Sequence, residues 1–285
     1  MSNPYKIDSP TCISFSGGRT SAYMLYKVLE AHQMSLPDEA IVCFANTGKE
    51  DEATLRFVQD CGENWGVPIS WLEYSPEAPG FKVVSFETAS RNGEPFMDMI
   101  KKERYLPNPM QRICTSRLKV RTMHKYQRSL GWEEWDQMIG IRADEQRRVV
   151  KLRNRPSPET KDEITRLPLA DAGITVQDVN QFWNQQPFNL ALTTVNGRTL
   201  AGNCDLCFLK PGAQIQSLIA EKPERAIWWA GVEKYAKETF WDKQHARACL
   251  FRMDRPSYAE MFKFSKEQKD MFDPNEETIS CFCGD

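Results

Sequence analysis

The stretch Ser14-Phe-Ser-Gly-Gly-Arg-Thr-Ser-Ala-Tyr-Met-Leu25 constrains this chain more than any other. An apolar run, Thr11–Ser16, meets Gly17 and Gly18, and a segment with Tyr23, Met24, Val28 and Leu29 near one face follows. The pattern predicts a buried strand, a tight glycine turn and a helix from about Thr20 to His32. Such a turn aims backbone N–H groups and the positive end of the helix dipole at one point, where an anion can sit. Ser16, Thr20 and Ser21 add hydroxyl groups and Arg19 adds a full charge. The loop lacks the Gly-Lys-Ser/Thr ending of a Walker loop and is not a dinucleotide fingerprint. Taken alone, it reads also as a plain glycine turn with a hydroxyl cap on the next helix.

Strand and helix patterns alternate through the first two thirds of the chain. Ala40–Gly48 reads as a second strand, and Asp51–Trp65 as a helix with Leu55, Val58, Cys61 and Trp65 at helical spacing. Pro68–Tyr74 and Lys82–Phe86 are further strands, and Trp135–Ala143 reads as a strand turning at Gly140. This alternation implies an α/β fold: a twisted, mostly parallel sheet with helices on both faces and ligands beyond the carboxyl ends of its strands. Residues 154–163, Asn-Arg-Pro-Ser-Pro-Glu-Thr-Lys-Asp-Glu, form a polar, proline-containing linker. From Gly202 a cysteine pair, a tryptophan-rich helix and a polar tail follow, so a division is expected near residue 200.

Lysine and arginine number 37 against 39 aspartates and glutamates. That near balance argues against a protein whose whole surface sheathes nucleic acid. Residues 104–128 are nonetheless locally basic with aromatic residues interleaved, and are the stretch best suited to touch nucleic acid. No apolar run approaches the roughly 18–20 residues of a membrane span, and the N-terminus lacks a signal-peptide pattern. A cytoplasmic address without membrane attachment is therefore expected.

Nine cysteines, an odd number, disfavour a disulfide framework. Cys12, Cys43, Cys61 and Cys249 sit in apolar contexts and read as buried thiols. Cys204 and Cys207 form a Cys-x-x-Cys after a turn-like Gly-Asn, a spacing that serves zinc, an iron–sulfur cluster or a redox dithiol. Cys114 lies among cations that favour its thiolate. Cys281 and Cys283 close the chain in a polar tail that gives them little structural purpose. His32, His124 and His245 are scattered and read as surface or helix residues.

Several segments in order resemble one family. Ser16-Gly-Gly-Arg-Thr-Ser21 resembles the pyrophosphate-binding loop of the ATP pyrophosphatase superfamily. Phe44-Ala-Asn-Thr-Gly-Lys-Glu50, Cys114-Thr-Ser-Arg-Leu-Lys119, Gly140-Ile-Arg-Ala-Asp-Glu-Gln-Arg-Arg148, the Pro168–Leu190 stretch and Asn203-Cys-Asp-Leu-Cys207 resemble successive motifs of the phosphoadenosine phosphosulfate reductase family within it. The resemblance covers about residues 12–210. It implies a nucleotide-binding domain over residues 1–200 and a cysteine-containing segment, 201–285, closing over the nucleotide cleft.

The same resemblance implies ATP or an adenylyl sulfate held by Ser16, Gly17, Gly18, Arg19, Thr20 and Ser21, with Phe44, Thr47 and Gly48 near the adenosine, joined by Arg117 and Gly140. Arg142 and Lys119 would neutralise the reacting anion. A 4Fe–4S cluster, with zinc as the alternative, would be held by Cys114, Cys204, Cys207 and Cys281, leaving Cys283 as a nucleophilic or sulfur-carrying thiol. A thiol reductant or sulfur donor would be the partner, and magnesium would accompany ATP.

The sequence departs from the family at three places. Thr20 stands where members that cleave ATP carry an aspartate, Cys114 follows Ile113 where a second cysteine is common, and the Glu-Cys-Gly tail is absent. Two chemistries remain: thiolate attack on a sulfonucleotide, or ATP-dependent sulfur transfer. The alternatives are a zinc-stabilised nucleotide sensor or partner-binding protein without catalysis, and a subunit of a nucleic-acid thiolation system.

Overall fold

The computed structural model describes residues 3–154, 161–195, 198–240 and 249–265. The apolar segments found above pair as neighbours. β1 (Thr11–Ser14) lies between β2 (Ala40–Asn46) and β5 (Trp135–Ile139), parallel to both. β3 (Ile69–Tyr74) extends the sheet beyond β2, and β6 (Glu163–Arg166) extends it beyond β5, both parallel. β4 (Phe81–Val84) closes one edge antiparallel to β3. The order is β4-β3-β2-β1-β5-β6, so the chain reverses its direction of travel across the sheet at β1. In such sheets the crevice beyond the carboxyl ends at the reversal is where ligands bind.

Alternation along the strands covers both faces. Ile13, Phe15, Val42, Phe44, Trp71 and Met138 join α1 (Arg19–Ala31), α2 (Glu52–Trp65) and α7 (Val176–Trp183) in the larger core. Cys12, Cys43, Leu72 and Trp135 point to the opposite face, under Met123 and Tyr126 of α4 (Arg121–Ser129). The fold is thus the expected α/β architecture with helices on both faces. α5 (Gln146–Asn154) and α6 (Pro168–Asp171) flank β6 in sequence, and β7 (Thr194–Val195) pairs with β8 (Arg198–Thr199) in a short hairpin.

A second core lies beside the sheet. Phe96, Met99 and Ile100 of α3 (Glu94–Glu103) and Leu118 of a π-helical segment, Thr115–Val120, pack with residues that follow position 200. These include Leu206, Phe208, Ile215 of α8 (Gly212–Glu221), Trp229 of α9 (Arg225–Phe240) and Tyr258 of α10 (Tyr258–Ser265). The division drawn at residue 200 therefore does not coincide with a break in packing. A chain segment with one apolar helix face buries it against whatever apolar surface is near, here α3 and the π-helical segment.

Four strands end earlier than their apolar patterns, and β2 is one of them, stopping at Asn46 where the pattern runs to Gly48. β1 stops at Ser14, although Phe15 still donates its N–H to Cys43 O at 2.9 Å. β5 stops at Ile139 because α1 passes over the next residue: a Cβ on Gly140 would come within 3.0 Å of Ser21 Cα. The fourth strand spans Phe81–Val84, since the Ser85 N–H turns to Thr88 Oγ1 at 2.9 Å. Glu163, assigned to the linker, starts β6, while residues 155–160 lie outside the described residues. Among the described residues no helix is long and apolar enough to cross a membrane.

Candidate functional site

The loop between β1 and α1 stands at the reversal point. Gly17 has φ +78°, and a Cβ there would meet Thr54 Cγ2 at 2.7 Å and Phe44 Cε2 and Val58 Cγ2 at 3.2 Å. The turn therefore needs glycine both for its torsion and for its close seat on α2 and β2. Gly18 is extended and opens α1 without a side-chain cap, and the first helical bond runs from Ala22 N to Gly18 O at 3.0 Å. The preceding N–H groups of the first turn have no acceptor within the helix.

The hydroxyl groups serve the loop's shape as much as any ligand. Ser21 Oγ accepts from Ser16 N at 3.2 Å, donates to Gly18 O at 3.0 Å and lies 2.9 Å from Ser16 Oγ. Thr20 Oγ1 accepts from Arg142 Nη1 at 3.0 Å. Arg142 is oriented by Asp144 Oδ1, 3.0 Å from its Nε, while Glu145 Oε2 accepts from its backbone N–H at 3.0 Å and pairs with its guanidinium at 3.8 Å. The segments around residues 20 and 142, distant in sequence, thus meet at the mouth of the β1–β5 crevice, with Gly140 permitting the approach.

The Arg19 side chain is hydrogen-bonded within the protein. Its guanidinium turns away from the loop to Asn189 Oδ1 at 2.7 Å, Thr194 Oγ1 at 2.5 Å and Leu190 O at 2.9 Å, and the Trp183 indole donates to Arg19 O at 2.9 Å. Those acceptors lie in the chain after α7, so the side chain ties residues 189–194 to α1. Phe44 is also drawn inward. It is 1% exposed, packs edge-on to Trp71 with ring centroids 4.9 Å apart, and supports Gly17 from below.

A second cluster forms at the end of β2. Glu50 Oε2 accepts from Thr47 N at 2.9 Å, Thr47 Oγ1 at 2.8 Å and Lys49 N at 3.3 Å. Lys119 Nζ stands 3.6 Å from Glu50 Oε1. Thr47 Oγ1 is 3.4 Å from Cys204 Sγ, and the backbone of Glu50 bridges that of Cys204. Asp205 donates its N–H to Lys49 O at 2.8 Å, its carboxylate lies 3.4 Å from Lys49 Nζ, and it accepts the Trp229 indole N–H at 2.8 Å. The Cys-x-x-Cys is thereby docked onto the Thr-Gly-Lys-Glu turn. Gly48 contributes its N–H to Asn46 Oδ1 at 3.0 Å, and Asn46 in turn donates to Glu73 Oε1 at 2.6 Å.

Burial pushes the Cys204 thiol well above its usual range; the Glu50 carboxylate adds to that rise, while Lys119 and the Thr47 hydroxyl oppose it. Cys207 is buried beside it, and Cys114 packs at the rim of the same core. Thiols are soft ligands of the kind that zinc and iron–sulfur centres take, but burial here favours the protonated form of Cys204. Among the described residues no three His, Cys, Asp or Glu side chains come together to hold a metal. The assigned fourth ligand Cys281 and the thiol Cys283 lie outside the described residues. Cys12, Cys43, Cys61 and Cys249 are buried, as their contexts suggested.

Arg117 pairs with Glu103 Oε1 at 2.6 Å, so part of its charge is answered within the protein. Sequence reasoning did not single out Glu50, although it closes the Thr-Gly-x-Glu signature. Asn46, Glu73 and Asp205 were missed as well, because only the register that sets Asn46 beside Glu73 reveals their partnership.

No family model matches the chain. It is 32% identical over 212 residues to the "uncharacterized nin region protein ORF290" of Escherichia phage lambda, which covers 71% of this chain and 67% of that protein. The chain belongs to the family of that phage protein. It is also 28% identical over 171 residues to an uncharacterized protein of Methanocaldococcus jannaschii, covering 59% of this chain and 31% of the archaeal protein. The chain thus spans about a third of that relative's length.

Proposed function

We propose that the chain binds an adenine nucleotide at the loop after β1 and carries out sulfur chemistry beside it, as its motifs' resemblance to the phosphoadenosine phosphosulfate reductases implies. One observation carries this reading. The uncapped start of α1 with Arg142 at its mouth and the Cys204–Thr47–Glu50–Lys119 cluster stand at the ends of neighbouring parallel strands, β1, β5 and β2. A phosphate or sulfate group then takes its hydrogen bonds from the loop's backbone, and Arg142 supplies a forked positive group held in place by Asp144 and Glu145. Lys119 supplies a second cation between the anion and the thiols.

Of the two chemistries, thiolate attack on the sulfur of a bound sulfonucleotide is favoured. The sulfur–oxygen bond to the adenosine phosphate breaks, that phosphate leaves, and a thiosulfonate remains on the enzyme. Thr20, engaged by Arg142, offers no carboxylate for the magnesium that cleavage of ATP between its α- and β-phosphates uses. A thiolate-held iron–sulfur cluster supplies electrons or sulfide when bound, whereas zinc supplies a structural cross-link. A cytoplasmic address and a thiol reductant or sulfur donor as partner belong to the same proposal.

Anaerobic purification followed by a visible spectrum with iron, sulfide and zinc analysis tests the metal half. A brown protein with about four irons and matching sulfide per chain supports the reading. One zinc in a colourless protein supports the non-catalytic nucleotide-binding alternative, and a folded protein with neither metal overturns the assignment of a metal centre.

A further inference from the structure

Charge is unevenly shared along this chain. Residues 101–128 hold nine of the 37 lysines and arginines and only one of the 39 acidic residues, leaving 28 against 38 elsewhere. The fold organises those cations rather than scattering them. The π-helical segment runs directly into α4, so Arg117, Arg121, Lys125 and Arg128 recur at helical spacing along one continuous helix. The opposite side of α4 is committed to the sheet: Met123 and Tyr126 pack under β1–β3, Tyr126 Oη lies 3.1 Å from Ser70 Oγ, and Thr122 and Gln127 are buried.

The basic side is the outward one, with Lys125 and Arg128 exposed. The last turn of α3 brings exposed Lys101 and Lys102 to the same region. The Lys125 ammonium is held below the usual lysine value by burial and then by Lys102, Arg121 and Arg117, which sets these four charges in one field. α4 itself contains no acidic residue, although Glu103 of α3 pairs with Arg117 and Arg128 Nη1 donates to Trp132 O and Glu133 O. Like charges three and four residues apart weaken a helix, so the stripe is not there for stability.

We propose that this outward face of α4, together with the end of α3, binds the phosphate backbone of a nucleic-acid strand. The inference stands apart from the adenine-nucleotide reading. The charges from Arg117 to Arg128 lie in a row of roughly 16 Å at 1.5 Å per residue, a linear array suited to successive phosphates. Arginine forks grip phosphate oxygens bidentately, and the preceding loop adds exposed Met110 and half-buried Tyr105 as apolar surfaces for an unstacked base. Lys119, on the sheet-facing side of the same continuous helix, stands 3.6 Å from Glu50 Oε1 and is not part of the stripe.

Fluorescence anisotropy of the full chain with a labelled 20-nucleotide single strand, from 50 to 200 mM salt, tests the proposal. About four phosphate contacts give a slope of log affinity on log salt near −3 for a single strand. Charge reversal at Lys102→Glu with Lys125→Glu is expected to weaken binding at least tenfold and flatten that slope by about one to two. Lys234→Glu, the same change on an exposed position of α9, is expected to leave both unaltered. Unchanged melting temperatures show that the variants fold. Absent or salt-independent binding overturns the proposal. So does equal weakening by Lys234→Glu, or tighter binding to polyglutamate or to phosphatidylserine vesicles than to the oligonucleotide. Competition by duplex then tells which form of nucleic acid the face prefers.

Discussion

Gly17 joins backbone torsion to site geometry in a single residue. Its left-handed φ and the 2.7 Å approach of a hypothetical Cβ to Thr54 Cγ2 leave no room for any other side chain. Gly17→Ala is expected to cost about 1–3 kcal/mol and, by shifting the N–H groups that follow, to weaken adenine-nucleotide binding at least tenfold. Chemical denaturation and nucleotide titration on the same variant read the two effects. Glu233 offers a residue-scale test through pH. Burial raises its carboxyl to about 7, although the N–H groups of Tyr258 and Phe251 donate to it and favour the ionised form. In the unfolded chain it titrates near the ordinary glutamate value, so at pH 4 both states hold the proton. As pH rises from about 4.5 through 7, the unfolded state loses the proton first and folding is progressively disfavoured, by up to roughly 3 kcal/mol. Glu233→Gln mimics the protonated form. Its melting temperature relative to the parent is therefore expected to rise between pH 5 and pH 8; a difference that stays constant across that range contradicts the account.

At the scale of elements, the junction between α2 and α9 fixes how the cysteine segment sits on the sheet. Arg225 Nη2 lies 2.6 Å from Asp51 Oδ2, with side chains 7% and 11% exposed, and Asp51 also accepts from Ala53 N to cap α2. Removing one partner strands the other in a dry site, so Arg225→Ala is expected to cost about 3–5 kcal/mol. Denaturant unfolding of that variant checks the figure. β1, β2, β3, α1 and α2 were legible from sequence because each is a single apolar run or stripe bounded by a turn. The π-helical segment and α4 were not, since a stripe of Arg117, Arg121, Lys125 and Arg128 looks like a solvated basic stretch until the partner sheet is known. Strand ends were overextended for a similar reason: Ile141 is as apolar as Ile139, and only the passage of α1 over Gly140 ends β5 between them.

The whole molecule gathers its candidate site from five separate stretches of chain. Residues 16–21, 47–50 and 140–142 meet because parallel strands bring their carboxyl ends to one edge, which the alternating pattern foretold. The arrival of Lys119 and Cys204 at Glu50 depends instead on the second core, in which α3, the π-helical segment and the helices after residue 200 bury one another. Short motifs indicated the residue types but not this meeting, because contacts between Thr47 and Cys204 span most of the chain. Arg19 illustrates the converse, a motif residue whose side chain the fold spends on Asn189, Leu190 and Thr194. The measurement that tests the central claim most directly is isothermal titration of the anaerobically purified chain with ATP, an adenylyl sulfate and GTP. The account predicts saturable binding of an adenylyl nucleotide that GTP does not match and that Gly17→Ala abolishes or severely weakens. Folded protein that takes up no adenine nucleotide, or binds it equally well with Gly17 replaced, would contradict it.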